Sequence, residues 1–344
     1  MSAEGFLDLP DLAGRALGGS VMAASDDFFA DVHQLIAAGP AGHDPAAFGP
    51  RGKTYDGWET RRRRDAGSDW VLIRLAVPGV VRGFVIDTAH FRGNYPPDAE
   101  VDGATVLGYP TAEEVLAAEW TPLTGRVALA GDTANAGPAA GPERLVTHVR
   151  LTIHPDGGVA RFRVHGEVVP DPRRLGGPVD LAATVLGGRV DDCSNRFYAS
   201  PANVLSPGVA RVMADGWETA RRRDDGNDWL VVRLGAPGVL SEAVIDTSRF
   251  VGNAPGWATL TDADSGAVLL PRTRLLPDAE QRFRLAAGPP VARVRLDIYP
   301  DGGISRLRLI GAVAESARPG LAARWLGLVP AAVAAAIDRA EFFQ

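Results

Sequence analysis

The sequence predicts an all-β fold of two tandem β-sandwich domains with a helical tail at the C-terminus. The five residues Asp56–Thr60 return unchanged as Asp215–Thr219, which indicates an internal repeat. After each copy, short segments rich in Val and Ile are separated by Gly and Pro, the pattern of strands joined by turns. Residues 319–344 are instead rich in Ala, Leu and Arg, which favours helix.

The repeat extends well beyond these five residues. Both copies continue with three arginines and an aspartate, then an Asp-Trp pair, an apolar segment and the sequence Val-Ile-Asp-Thr. The copies stay 159 residues apart throughout this block. The chain is therefore a tandem duplication, and a site that both copies share can use only residues that recur.

Length and repeat together divide the chain. A chain of 344 residues fits about two domains. We predict a first sandwich at 1–172, a second at 173–318 and the helical tail at 319–344, with Pro170–Pro178 as linker. Apolar residues of the tail fall near helical spacing and Pro330 interrupts them. The tail is expected to pack on a domain or on a second copy of the chain, which leaves a homo-oligomer open.

Strand and turn patterns recur within each copy. Val71–Leu75 alternates so that one face is fully apolar and the other mixed, as in a sandwich. Pro78–Gly79 predicts a turn after this strand. The sequence Pro-Asp-Gly-Gly at Pro155–Gly158 and Pro300–Gly303 predicts that each repeat ends in a hairpin.

Two segments have weaker patterns. Residues 1–16 are expected to be loosely held. Residues 102–145 are expected to form an irregular excursion, with a helix near Ala112–Trp120.

Charge and cysteine content exclude several classes. A net charge of -6 argues against nucleic acid or an anionic membrane as partner. Met1–Phe6 lacks the features of a signal peptide, and no apolar stretch reaches membrane-spanning length. The single Cys193 excludes an intramolecular disulfide, so a cytoplasmic location is predicted.

The arginine clusters are the strongest candidates for binding a small anion. Guanidinium groups hold a carboxylate through two parallel hydrogen bonds. In an extended segment Arg62 and Arg64 share a face and Arg63 points away, so we expect the pair to bind ligand and Arg63 to be structural. The alternative is a surface strand edge paired with Asp65. The candidate ligands in both copies are Arg62, Arg64, Arg221 and Arg223.

Glu59 and Glu218 are the candidate general acids or bases. Each follows a tryptophan, whose apolar ring can raise the pKa of a neighbouring carboxyl, whereas the arginines after it would lower that pKa. The alternative is that each glutamate only neutralises its own arginine cluster.

Histidine separates the two copies. All six histidines lie in the first copy, so a histidine-based site cannot exist twice. His90 follows the end of a strand, where sandwich domains place ligand contacts, and is a candidate catalytic residue or else a surface residue. Its counterpart is Arg249. Asn94 and Asn253 recur in this loop and are candidate substrate ligands.

No motif requires a cofactor. Transition-metal spacings such as His-x-His or Cys-x-x-Cys, the Gly-x-Ser-x-Gly elbow and phosphate or dinucleotide loops are missing from the sequence. A carboxylate-bound divalent metal such as Mn stays possible but is not indicated, because turn capping is the favoured interpretation of each candidate oxygen donor. These candidates are Asp87, Asp156, Asp246 and Asp301.

The repeated block Trp-Glu-Thr-x-Arg-Arg-Arg, with the Asp-Trp pair, the apolar strand and Ile-Asp-Thr after it, resembles the allantoicase family. These are ureide-degrading hydrolases built from two copies of one β-sandwich, and the resemblance spans about Leu17 to Gly311. The strand pattern is also similar to galactose-binding-like jelly rolls, in fold only.

The resemblance implies a hydrolase of carbon–nitrogen bonds in linear amidines, which converts allantoate into ureidoglycolate and urea during purine and allantoin degradation. It implies that the arginine pair of either copy binds the substrate carboxylate, the glutamate handles a proton and the asparagine holds a ureido carbonyl. Family members often have a histidine before the Asp-Trp pair, where this chain has Ser68 and Asn227. That departure puts any mechanism through such a histidine in doubt.

The rival prediction is a tandem small-ligand or carbohydrate-binding module without catalysis. Exposed Trp58 and Trp217 beside an arginine-free cleft would favour it, since sugar sites use aromatic platforms. An arginine-lined pocket near Glu59 or Glu218 would favour the enzyme. A third possibility is one catalytic and one structural copy, and His90 favours the first copy as the catalytic one.

Overall fold

The computed structural model describes residues 5–344, so the predicted domain start at residue 1 lies outside the described residues. The chain divides into two compact units. One ends at Val169 and also includes Gly327–Ala335, and the other comprises Pro170–Leu326 and Ala336–Gln344. Each unit holds one copy of the repeat.

The first unit consists mainly of antiparallel strands. They are β1 (Ser20–Ala24), β2 (Phe48–Gly49), β3 (Gly52–Lys53), β4 (Trp58–Glu59), β5 (Asp69–Asp87), β6 (Asp98–Ala104), β7 (Thr121–Pro122), β8 (Val127–Ala128), β9 (Ala134–Pro138), β10 (Val146–His154), β11 (Gly158–Val159) and β12 (Arg161–Val168). The helix α1 (Ala112–Leu116) and the 3-10 helices Arg15–Leu17 and Val32–Ile36 complete it.

The long strand β5 takes part in both halves of the first sandwich. Its first half pairs with β1 and β10, and its second half pairs with β9 and β12. The expected turn at Pro78–Gly79 is wrong, because the strand continues through it. The ladder with β10 is interrupted between Arg74 and Gly79, so proline occupies a point where its missing N–H is not needed.

The core follows the predicted alternation. Val71 and Ile73 are fully buried and Leu75 is nearly so, while Arg74 on the other face is partly exposed. The fully buried Trp58 belongs to the same interior. Burial of each such side chain contributes roughly 1.5–3 kcal/mol.

The second unit repeats this plan. Its strands are β13 (Val179–Asp180), β14 (Arg189–Cys193), β15 (Trp217–Glu218), β16 (Asp228–Asp246), β17 (Trp257–Asp262), β18 (Val268–Arg274), β19 (Glu280–Arg284), β20 (Val291–Tyr299), β21 (Gly303–Ile304) and β22 (Arg306–Val313). Its 3-10 helices are Pro172–Arg174, Thr184–Leu186, Pro201–Leu205, Met213–Asp215, Glu315–Ala317 and Arg339–Glu341. Here β16 pairs with β14 and β20 through its first half, and with β19 and β22 through its second.

The predicted terminal hairpin is wrong in both copies. Strands β10 and β12 both pair with β5 rather than with each other. The turn Pro155–Gly158 instead leads into β11, which pairs with β4. The second copy does the same, with β21 on β15. This short pairing fixes the position of Glu59 and of Glu218.

Two further expectations need correction. Within residues 5–16 the chain is not loosely held, because Leu12 and Ala13 are fully buried. The excursion at 102–145 contains the short helix α1 where a helix was expected, but also the three strands β7 to β9, which the sequence did not predict.

The tail is helical, as predicted, with α2 (Arg318–Leu328) and α3 (Ala331–Ala336) interrupted at Pro330. Trp325 is buried and meets the ring of Phe342 edge-on. None of the helices in residues 5–344 is long and apolar enough to cross a membrane. The predicted fold class, two tandem β-sandwiches with a helical tail, is confirmed.

A buried histidine, His148, makes the stability of the first sandwich depend on pH. His148 on β10 is only 2% exposed, and its Nδ1 lies 2.8 Å from the hydroxyl of Thr147. Its Nε2 is buried without a hydrogen-bond partner among the described residues. Burial, together with the nearby charge of Arg74, lowers the pKa of His148 from 6.5 to about 4.

Acidification should therefore weaken the fold through His148. Between pH 6.5 and about 4 the unfolded chain binds the proton more readily, so stability present above pH 6.5 is lost as the pH falls. From pH 7 to pH 5 we expect the wild type to lose about 2 kcal/mol more unfolding free energy than His148→Asn, measured by urea denaturation. Equal losses in the two proteins would contradict this role.

Candidate active site

The β4–β11 pair places Glu59 in the first repeat. Trp58 is fully buried and its indole N–H donates to the carbonyl of Asp26 at 2.7 Å, which anchors the short strand. Side chains alternate along a strand, so the next residue, Glu59, points away from that interior. It pairs in register with Gly158 and is half-buried.

The Pro-Asp-Gly-Gly turn brings Asn94 to this glutamate. The N–H of Gly158 donates to the carbonyl of Asn94 at 2.7 Å. A side-chain carbon on Gly158 would lie 2.1 Å from the ring of Phe91, so only glycine allows this close approach. As a result the Asn94 side-chain N–H donates to Oε1 of Glu59 at 2.7 Å.

Burial raises the pKa of Glu59, although the Asn94 hydrogen bond and the positive charge of Arg62 oppose this. Glu59 forms no ion pair in the described part of the chain. The charge of Arg62 nevertheless acts on Glu59, so proton transfer by Glu59 and neutralisation of its arginine cluster both stay predictions. A carboxyl with a raised pKa is better suited to donate a proton near neutral pH.

The arginines divide as the alternation predicted. Arg63 binds Asp69 at 2.7 Å and Asp65 at 2.9 Å, and its backbone N–H donates to Asp156 at 2.7 Å. The structural role expected for Arg63 is confirmed. Arg62 and Arg64 are exposed, and neither makes a hydrogen bond or ion pair within residues 5–344.

The second repeat reproduces this framework. Asn253 donates to Glu218 at 2.7 Å, and the indole of Trp217 donates to the carbonyl of Asn195 at 2.8 Å. Arg222 takes the structural position, bound to Asp228 at 2.9 Å. The exposed pair at the positions of Arg62 and Arg64 consists of Arg221 and Arg223.

His90 lies beside Asn94, but in a loop held from several sides. Its backbone φ is 69°, and its N–H donates to Asp132 at 2.8 Å. Its ring stacks on His43 at 4.6 Å, and Nε2 lies 3.3 Å from the carbonyl of Ala41. His90 is therefore near the glutamate's partner without contacting the glutamate.

A cavity of about 180 Å³ opens beside this loop. Its polar and aromatic lining residues are His43, Lys53, Tyr55, His90, Arg92 and Asn94. Sequence reasoning missed His43, Lys53, Tyr55 and Arg92. The available signal was the connection before the first Asp-Gly-Trp-Glu-Thr. Ser25–Ala30 lies 169 residues before its counterpart Ser194–Ala199, whereas the five-residue motif lies 159 residues before its copy, so this connection is ten residues longer in the first repeat.

The four aspartates considered for metal binding all accept backbone N–H groups. Asp87 and Asp246 accept from the N–H groups of Ala89 and Ser248, and each thereby closes the turn after its strand. Asp156 and Asp301 accept from the backbone N–H groups of the structural arginines Arg63 and Arg222. The aspartates, in chain order, are Asp87, Asp156, Asp246 and Asp301. Within residues 5–344 no group of three His, Cys, Asp or Glu side chains is placed to hold a metal ion.

Comparison with known proteins agrees with this framework. The sequence profile described as Allantoicase repeat matches residues 10–169 and 179–314. The chain belongs to the allantoicase family.

Both sequence relatives and a solved structure cover most of the chain. A probable allantoicase of Nocardia farcinica is 53% identical over 318 residues, 90% of this chain and 96% of that protein. One from Streptomyces avermitilis is 49% identical over 338 residues, 93% and 90% of the two chains. The crystal structure of allantoicase from Saccharomyces cerevisiae superposes with a TM-score of 0.77 at 31% identity, covering 88% of this chain and 92% of that one.

In this allantoicase-family chain, Arg63 and Arg62 should differ in their effect on stability. Arg63→Met leaves the carboxylate of Asp69, whose side chain is 2% exposed, without its cation. We expect a loss of roughly 3 kcal/mol of unfolding free energy, measured by chemical denaturation. Arg62→Met, which breaks no ion pair, should stay within about 0.5 kcal/mol of the wild type. Similar losses in the two variants would refute the division of the arginines.

Proposed function

We propose that this protein is an allantoicase that hydrolyses allantoate to ureidoglycolate and urea, a carbon–nitrogen bond hydrolysis in purine and allantoin degradation. The observation that carries the site is Glu59. It is a half-buried carboxyl with a raised pKa, hydrogen-bonded by Asn94 and near the charge of Arg62. This combination is what a proton donor to a departing nitrogen needs.

The reaction replaces one ureido group by a hydroxyl group. Water supplies the oxygen to the central carbon of allantoate, and the departing ureido nitrogen gains a proton as urea leaves. In this proposal Glu59 delivers that proton, and Asn94 orients Glu59 and hydrogen-bonds a ureido carbonyl. Proton transfer of this kind contributes roughly 10²- to 10⁴-fold to a rate.

The exposed arginines supply the positive charge for the substrate carboxylate. Arg62 and Arg64 are proposed ligands in the first repeat, because the described chain offers them no partner of its own. In the second repeat Arg221, Arg223, Glu218 and Asn253 stand in the same relation. We favour the first repeat, because His90, which lines the cavity beside Asn94, has no histidine counterpart in the second repeat. His90 is proposed to shape the site through its contacts.

The rival prediction, a carbohydrate-binding module, requires that Trp58 and Trp217 be exposed. Trp58 and Trp217 are both fully buried, with their indole N–H groups bonded to backbone carbonyls. Neither can serve as an aromatic platform for a sugar. A cytoplasmic location and self-association through the tail stay predictions.

Replacing the two glutamates separately tests the proposal. Glu59→Gln keeps the size of the side chain but removes its proton, so urea release from allantoate should fall roughly 10²- to 10⁴-fold in kcat. Glu218→Gln is the matched variant and should retain most activity. The assay is run with and without added Mn²⁺. No urea release from the wild type under either condition would overturn the function, and loss only in Glu218→Gln would move the site to the second repeat.

Removing Asn94 should shift the pH dependence in a defined direction. The Asn94 N–H stabilises the ionised form of Glu59, so Asn94→Ala should raise the pKa of Glu59 further. An acid loses activity as the pH rises through its pKa, so the alkaline fall of kcat should move to higher pH. Asn253→Ala should leave the profile in place. A shift to lower pH would contradict the acid role of Glu59.

A further inference from the structure

Matching hydrogen bonds locate the extra residues of the first repeat. The N–H of Gly42 donates to Asp56 at 2.7 Å, and the N–H of Arg211 donates to Asp215 at 2.9 Å. Gly42 is thus equivalent to Arg211, and the two aspartates are equivalent through the repeat. The insertion therefore lies within His43–Tyr55, where the second repeat has only Val212, Met213 and Ala214.

This insertion supplies three of the seven residues that line the cavity beside Asn94. It contributes His43, Tyr55 and, from the β2–β3 hairpin, Lys53. The Lys53 ammonium lies 5.4 Å from the ring centre of Tyr55, and the described residues give it no carboxylate partner. Since Lys53 faces no anion of the chain, it is available to an anion from outside.

The other cationic groups of the cavity reinforce Lys53. Arg92 is paired with Asp132 at 3.0 Å, so its charge is partly balanced. Desolvation and the charges of Lys53, His90 and Arg92 lower the pKa of His43, and they outweigh the opposing charge of Asp44. The cavity therefore favours an anion over a neutral or cationic ligand.

In the second repeat exposed apolar side chains replace several of these cavity residues, although Arg249 takes the place of His90. Val212 and Met213 are 54% and 45% exposed, and Val251, which replaces Arg92, is 69% exposed. Asn253 lies 3.6 Å from the sulfur of Met213. The two repeats thus share the hydrogen-bonded Glu–Asn pair but differ in the residues that lie beside it.

We infer that the insertion His43–Tyr55 builds a carboxylate subsite, with Lys53 as its principal cation, and that this subsite makes the first repeat the working copy. The inference rests on the proposed function. A cavity of about 180 Å³ has room for a small organic acid, since a cavity of roughly 150 Å³ holds benzene. In this inference Lys53 joins Arg62 and Arg64 as a ligand of the same carboxylate, since a single exposed charge binds an anion only weakly in water.

The reaction leaves the carboxylate of allantoate unchanged, so substrate and product should use the subsite alike. Lys53→Met should raise KM for allantoate, and the inhibition constant of ureidoglycolate, each about tenfold with kcat within about twofold. Lys53→Arg should restore both constants. Val212→Met is the matched control in the second repeat and should change neither. Unchanged constants in Lys53→Met, in a protein that releases urea, would overturn the subsite while leaving the function intact.

A binding measurement separates the subsite from catalysis. N-carbamoylglycine carries one ureido group and one carboxylate. The matched compound, in which a primary amide replaces the carboxylate, lacks the negative charge. By calorimetry on the full chain, Lys53→Met should weaken binding of the acid about tenfold and leave that of the amide unchanged. Lys53-dependent binding of the acid without any urea release would support the subsite and sink the proposed hydrolysis. Equal binding of the acid to wild type and variant would overturn the subsite.

Discussion

The buried carboxylate of Asp69 is the constraint on which each repeat depends. It begins β5 and is held by the guanidinium of Arg63 at 2.7 Å and by the hydroxyl of Ser25 at 2.9 Å. Arg63 in turn donates its backbone N–H to Asp156, in the turn that leads to β11. Arg63 and Asp69 together therefore connect the start of β5 to Ser25 after β1 and to the turn before β11, and the cost of a buried, unpaired aspartate stabilises this connection. Strand β4, which carries Glu59, lies just before Arg63 in the sequence and pairs with β11.

Duplication preserved this framework and left its surroundings free to diverge. Arg222 and Asp228 repeat the same ion pair, and Glu218 repeats the same hydrogen bond to an asparagine. What differs is a surface connection, where added residues cost little because the loop ends stay fixed. A lysine can thus line the cavity beside Asn94 in one copy without disturbing either core. This explains how two copies with one architecture come to differ in the residues beside the Glu–Asn pair.

The sequence predicted what local periodicity determines and missed what depends on distant partners. The alternation of Val71–Leu75 and the division between Arg62 and Arg63 follow from side chains that alternate along an extended chain. The hairpin at Pro155–Gly158 was wrong because a turn pattern does not reveal which strand pairs next, and here β11 pairs with a strand almost one hundred residues earlier. Lys53 was missed because an insertion has no counterpart in the other copy.

In the proposed reaction, substrate binding would favour the protonated form of Glu59. In the free protein burial raises the pKa of Glu59, while Arg62 and the Asn94 hydrogen bond hold it down. A substrate carboxylate placed beside Asn94 adds a negative charge and excludes water, and both effects favour the protonated carboxyl. If the carboxylate also engages Arg62, it weakens the group that opposes protonation. Binding of the anion would thus favour protonation of Glu59, and this proton is the one that the departing urea requires.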